Sequence, residues 1–363
     1  MKYTKNKIKK NILIYCPIIE RGGIQTTLIK YANFLSNKYE VKIFTEKCDK
    51  RVLRNFKKEI KIFETINAGN SKSRILKDIN VYLLLKKKAQ KKDIILSIHD
   101  HVVPLILNKI FNKNKIIIRT AGIVPNNNNF NEQRYLDNLL LKKIFLRIYR
   151  LADKVITFSE ENVKYFYSIG VKACCIYNNF EKQKTLSVIK NKKILDIFFI
   201  GRFSYEKNAD FFLKNMMNFS KVRIHLVGDG YQKEKLKIIA KRKPNIIFHG
   251  YVKNPFKKFL NKIDLLCVTS KFDGTPNVMG EAMSYGIPVL APENVGLSNL
   301  FIKNEKNGFL YKSEDKNSFK KKINQIINNF SLRKNKAKNG YLNIRRYNFK
   351  NTHQKLIDEI DNL

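Results

Sequence analysis

The sequence predicts an α/β protein built as two parallel-sheet domains, and three observations carry that prediction. Short apolar runs alternate with helix-spaced stretches nearly throughout the chain, a pattern that favours strands joined by crossover helices. The alternation starts afresh after a polar, strand-poor segment at 180–193, FEKQKTLSVIKNKK. The 363 residues, 44% of them hydrophobic, exceed one ordinary core and suit two domains of about 150–200 residues each.

The elements follow in order. NILIYCPI at 11–18 is a short apolar run, expected as a buried first strand. A loop with Gly22 and Gly23 follows, and Leu28, Tyr31, Ala32 and Leu35 then recur at helical spacing. YEVKIFTE, DIILSIHDH, KIIIRTAG and DKVITFS are further strands, the last preceded by a basic helix, LDNLLLKKIFLRIYRLA. After the polar segment come ILDIFFIG, VRIHLVG, NIIFHGY, DLLCVTS and IPVLAP, and the tail YNFKNTHQKLIDEIDNL is expected as a terminal helix. The expected boundaries are a first domain at 1–183, a second at 184–345, and a C-terminal helix at 346–363 packing back on the first domain.

Bulk properties narrow the function. The net charge of +42 points to a negative partner: nucleic acid, an anionic membrane face or phosphorylated substrates. Compositional bias accounts for it as well, because the lysines are scattered rather than gathered in one arm. No helix-turn-helix, zinc-finger spacing or aromatic RNA-binding signature is present, so nucleic acid is not the expected partner. Five cysteines, odd in number and without zinc-module spacing, are expected as free thiols in a reducing cytoplasm. The first apolar run is cut short by Glu20 and Arg21, too early for a signal peptide or membrane span.

Two stretches carry chemistry. In KFDGTPNVMGEAMSYGIPVLA, Gly274 and Pro276 mark a tight turn, Asn277 is expected to cap the following helix, and Gly286 to end it. A helix start after a strand and a sharp turn makes an anion site, from free amides and the positive dipole end. Glu281, one turn in, suits the hydroxyls of a nucleotide ribose, and Asp273 those of a sugar; an ordinary capped helix with two surface carboxylates explains the same residues. In FFIGRFSYEKNADFFLKN, a buried strand ends at Gly201 and is followed by Arg202 and Lys207. Two cations at fixed spacing on one loop suit a diphosphate, although they are also two of 72 basic residues. The GDG at Gly228 to Gly230 is by itself only a short turn.

Taken together, GRFSYEKN and, from Asp273, DGTPNVMGEAMSYGIPV resemble the donor site of the retaining glycosyltransferases of family four, which have the GT-B fold. HLVGDGYQKEKLK, IIFHGYVKN and YNN at Tyr177 to Asn179 resemble its intermediate landmarks. The resemblance spans nearly the whole chain and is stronger in the second half. It implies an α/β GT-B architecture, two Rossmann-like domains facing across a cleft. It implies Arg202 and Lys207 on the donor diphosphate and Asp273 and Glu281 as the paired carboxylates. Gly201, Gly274, Asn277, Val278, Tyr251 and Val252 would line the donor site. Gly22, Gly23, Arg119 and His101 would lie toward the acceptor and phosphate.

Two departures stand out: the first carboxylate, commonly Glu in the family, is Asp273, and Arg119 stands nearest to where many members carry His. The implied reaction is transfer of a sugar from a nucleotide-diphosphate sugar, UDP-linked, to a glycan or lipid-linked acceptor, with retention. Neither cofactor nor metal is called for, since the nucleotide sugar is a substrate. A basic nucleic-acid-binding protein and a sugar-nucleotide epimerase are the alternatives. The basic amphipathic LLLKKIFLRIYR, with Lys142, Lys143, Arg147 and Arg150, adds an expectation of peripheral association with the inner face of the cytoplasmic membrane.

Overall fold

The computed structural model describes residues 11–20, 23–65, 73–98, 103–120, 149–181, 183–240, 243–271, 273, 276–303 and 305–363. The basic stretch at 139–148, His101, Gly22 and Gly274 lie outside the described residues. The chain forms two compact units, Met1–Tyr177 with Thr352–Leu363, and Asn178–Asn351.

The first unit is built on strands β1 Asn11–Tyr15, β3 Glu40–Thr45, β5 Lys61–Glu64, β6 Ile94–Ser97, β7 Lys115–Arg119, β8 Lys154–Thr157 and β9 Ala173–Cys175, with short β2 Ile18–Ile19 and β4 Lys47–Cys48 pairing separately. The main sheet runs β5-β3-β1-β6-β7-β8-β9, parallel throughout. All five residues of β1 are buried, because helices cover both faces of a parallel sheet. Ile12 and Ile14 pack with Leu28 and Leu35 of helix Gly23–Leu35 and with Leu356 and Ile360 of helix Phe349–Asp361. Leu13 and Tyr15 pack on the other face with Val81, Leu85 and Leu105. The two-residue period thus divides one run of apolar residues between two cores. Tyr39 donates to Asp361 at 2.7 Å and Lys154 pairs with Glu359 at 2.7 Å, fastening the last helix to this unit.

The second unit carries β10 Leu195–Ile200, β11 Val222–Val227, β12 Ile246–Gly250, β13 Leu265–Cys267, β14 Val289–Pro292 and β15 Phe309–Tyr311. They form one parallel sheet in the order β12-β11-β10-β13-β14-β15. Leu195, Ile197 and Phe199 pack with Phe212, Leu213 and Met216 of helix Ala209–Met216 and with Phe319 and Ile323 of helix Lys316–Asn328. The polar segment at 180–193 lies along this unit. Ser187 donates through its amide to Tyr285 O (2.8 Å) and through its hydroxyl to Leu260 O (3.0 Å).

The face of β10 opposite Phe199 holds a buried polar chain. Asp196 Oδ1 lies 2.9 Å from His225 Nε2, and His225 Nδ1 lies 2.9 Å from His249 Nε2. Arg223 pairs with Asp196 at 2.8 Å, and Lys192 bridges Asp196 (3.3 Å) and Asp264 (2.8 Å). Burial alone would raise the Asp196 carboxyl; the bonds from His225 and Arg223 and the charges of Arg223 and Lys192 outweigh it and hold the group at about 2. His249 stacks near Phe198 and Phe259. Burial, then the charges of His225, Lys262 and Lys258, depress its pKa from 6.5 to about 4.

A histidine depressed in the fold refuses a proton that the unfolded chain accepts. The stability of the second unit is therefore expected to fall as pH drops from 6.5 to about 4. It should fall again from 3.8 toward 2, as Asp196 protonates. Urea denaturation across this range checks it. His249→Gln should flatten the upper step and leave the lower one.

Candidate functional site

The chain runs outward from β10 through β11 to β12, then returns to β13 on the other side of β10. Where the strand order reverses, the following loops diverge and leave a crevice at the C-terminal sheet edge, the usual ligand position in open α/β sheets. The loop after β10 carries Gly201, Arg202 and Lys207, and the loop after β13 carries Asp273 and leads into helix Asn277–Ser284. The structure therefore brings both sequence-predicted stretches to one switch point.

The two loops are stitched together. Thr269 Oγ1 lies 3.2 and 3.1 Å from the carbonyl oxygens of Lys207 and Asn208, and Lys271 N donates to Glu206 O at 2.9 Å. Lys207 ends a single 3₁₀ turn, Tyr205–Lys207, and Asn208 then adopts φ +55°, a left-handed conformation that Asn tolerates. That reversal sends Lys207 toward the neighbouring loop, where its Nζ forms an ion pair with Asp273 Oδ2. Ser270 Oγ lies 3.4 Å from the same oxygen. Arg202 is exposed and makes no side-chain bond to the described residues.

The turn after β11 supports the Arg202 loop from below. Gly201 N donates to Val227 O (3.0 Å), Phe203 N to Asp229 O (2.9 Å) and Gln232 N to Phe203 O (3.0 Å). A Cβ at Gly228 would stand 1.8 Å from Gly201 O, and one at Gly230 would stand 2.5 Å from Phe203 O. Helix Asn277–Ser284 rests on Phe180 in the same way: a Cβ at Gly280 would meet the ring at 2.3 Å. Glu281 is half-buried in that helix, Tyr285 caps its end and Gly286 follows at φ +71°. Tyr251, exposed, and Val252 follow β12 at the same sheet edge. Among the described residues no group of three or more His, Cys, Asp or Glu side chains is placed to hold a metal ion.

Residues 195–329, the stretch containing all of these loops, match the family model described as glycosyl transferases group 1. Over that stretch the chain is similar to the group 1 glycosyltransferases. It is 30% identical over 233 residues to an uncharacterised glycosyltransferase of Methanocaldococcus jannaschii, a match that spans 56% of either chain, about half the length of that relative. It is 23% identical over 359 residues, 95% of this chain and 97% of the other, to a Campylobacter jejuni α-1,4-N-acetyl-D-galactosaminyltransferase named for an undecaprenol-linked saccharide. The Anabaena protein HepE, solved with UDP and glucose, superposes with a TM-score of 0.79 at 17% identity, covering 98% of this chain and 100% of its own. The fold is accordingly GT-B, with a Rossmann-like sheet in each unit.

One expectation is corrected at this site. Asn277 does not cap its helix; it is the first helical residue, and Pro276 occupies the cap position without a side-chain bond. The Asn277 carboxamide oxygen turns instead to Asn178 Nδ2 at 2.7 Å, leaving the helix's first amides free of a side-chain acceptor at the cap. Val278 is half-buried behind it.

In the first unit, Gly23 opens helix Gly23–Leu35, and Arg119 ends β7. Arg119 is buried, with Nε 3.2 Å from Tyr31 OH and the guanidinium 5.3 Å above the Tyr31 ring. Sequence reasoning named Asn178 only within the YNN landmark, missed Phe180, and read Gly228 and Gly230 as a short turn without their supporting role. A glycine pair directly after the strand VRIHLV was the available signal.

Proposed function

We propose that the chain transfers a sugar from a nucleotide-diphosphate sugar, UDP-linked, to a hydroxyl of a glycan or lipid-linked saccharide at the inner face of a membrane. The reaction retains anomeric configuration and serves cell-surface polysaccharide or lipopolysaccharide assembly. The observation that carries this is the convergence of Arg202, Lys207, Asp273 and an open helix start on one switch point. The undecaprenol-linked saccharide in the Campylobacter relative's name and the UDP and glucose bound by HepE support it.

As the glycosidic bond breaks, negative charge grows on the leaving diphosphate. Arg202, Lys207 and the first-turn amides of helix Asn277–Ser284 stabilise that charge in place of a divalent ion. The acceptor hydroxyl attacks from the face the diphosphate leaves, and a leaving phosphate oxygen takes its proton. Asp273 meets the sugar hydroxyls, and Glu281 the ribose hydroxyls.

A thermal-shift panel of nucleotide sugars tests the donor. One nucleoside-diphosphate sugar should raise the melting temperature, since a ligand stabilises whichever state binds it. No shift with any of them would count against the reading. Within that reading Glu281→Gln is expected to weaken donor binding about tenfold, one charge-assisted bond's worth, with little change in the saturated rate. Asp273→Ala should depress both. Calorimetric titration with the donor and steady-state kinetics separate the two; unchanged affinity and turnover in both variants would refute the carboxylate roles.

A further inference from the structure

Helix Arg74–Lys88 carries apolar residues on two sides. Val81, Tyr82 and Leu85 are buried, Val81 and Leu85 in the core of the first unit. Leu76, Ile79 and Leu83, at i, i+3 and i+7, form a second row that is 54%, 39% and 53% exposed. Helix Val103–Asn112 packs alongside. It adds Ile110 and Phe111, also exposed, with the Phe111 ring 5.9 Å from Tyr82. Single exposed apolar residues are ordinary, but a row of three on one helix with two more on the helix packed beside it is not.

The charges around this row are of one sign. Lys86 and Lys87 end the first helix exposed, Lys91 and Lys92 follow, and Lys113 follows the second helix, all exposed. Asp78 is the one acid between Ser73 and Lys92, and it is buried. Lys109 and Lys115 are set apart by their ion pairs to Asp153.

We propose that this face of the two helices docks on an anionic bilayer. The apolar row enters the boundary between headgroups and acyl chains while the lysines stay level with the lipid phosphates. Nucleic acid would meet the lysines and leave the apolar row in water. A second copy of the chain would set the lysines against their own kind. No helix among the described residues is long and apolar enough to cross a membrane, so this surface lies on the bilayer. The proposal deepens the reading of a membrane-borne acceptor, and its test needs no acceptor.

The test is flotation with vesicles of phosphatidylcholine alone and of phosphatidylcholine mixed with phosphatidylglycerol, at low salt. The full chain should float with the mixed vesicles only. Replacing Leu76, Ile79 and Leu83 together by Ser should reduce partitioning about tenfold or more. Lys86→Gln with Lys87→Gln should reduce it about fivefold per lysine. Lys316→Gln with Lys321→Gln, which removes equal charge from the second unit, should lose far less.

The proposal is overturned if the native chain does not float, if the serine variant floats like the native chain, or if the control pair loses as much as the Lys86 and Lys87 pair. It is also overturned if light scattering finds a dimer that the serine variant abolishes. Transfer to a soluble saccharide, measured in parallel, keeps the two readings apart: its absence beside intact flotation counts against the enzymatic reading alone.

Discussion

Lys207→Ala and Arg202→Ala are each expected to lower the transfer rate by about 100-fold or more. A preorganised donor aimed at developing charge contributes about 2.7–4 kcal/mol to the barrier, and both side chains stand on a loop fixed from two sides. Gly201 and Phe203 are bonded to the turn after β11, and Lys207 to Asp273 across the switch point.

The two variants should differ in stability. The Arg202 guanidinium bonds to none of the described residues, so its loss should leave the melting temperature near the native value. Removing Lys207 strands Asp273, whose side chain is only 10% exposed, so a modest drop is expected there. Single-turnover rates at saturating donor, with denaturation curves for both proteins, check this. If folded Arg202→Ala and Lys207→Ala turn over at near-native rates, the donor site is misassigned. The double variant should cost less than the product of the singles, because in the proposed reaction both cations serve one leaving group.

Gly228→Ala should be among the most damaging single-methyl changes in the molecule, costing about 3–5 kcal/mol. Two terms add: the methyl carbon would sit 1.8 Å from the carbonyl oxygen of Gly201, and the residue holds φ +148°. Both colliding groups are backbone, so no rotamer change relieves them. Gly250→Ala is the control. It also has positive φ, at +64°, but nothing lies within 4 Å of its Cβ position, so strain alone should cost about 1–2 kcal/mol. Urea denaturation of both variants tests the pair, and equal costs would remove the close-approach argument. Because Gly201 precedes Arg202, the Gly228 variant should also lose donor affinity before it loses its fold.

How legible the fold was depends on where a strand sits. The interior strands β1, β6 and β7 are apolar runs because helices cover both sheet faces, and their residues are buried almost without interruption. The strands missing from the sequence reading stand mainly at sheet edges. β5, KIFE, is exposed at both ends; β9 is only ACC; β15 is only FLY. Edge strands need pairing on one side only, so they are short and leave little periodic signal. The segment at 180–193 is polar and carries no strand pattern, yet Ser187 and Lys192 bond it to the second unit through backbone and charge contacts that hydropathy does not register.

By itself the sequence determined the α/β class, the two successive strand–helix series and the residue types at the candidate donor site. Those features live in local periodicity and in motifs whose members are close in the chain: Gly201, Arg202 and Lys207 on one loop, Asp273, Asn277 and Glu281 on another. Tertiary structure alone decided that these loops share a switch point, since strand order depends on which side of β10 the returning chain packs. It also decided that Asn277 turns to Asn178 rather than capping its helix, that Phe180 fills the space Gly280 leaves open, and that Gly228 supports Gly201. Each is a contact between residues far apart in the chain. Such contacts depend on close packing, which fixes separations to a few tenths of an ångström and leaves no trace in the spacing of residues along the sequence.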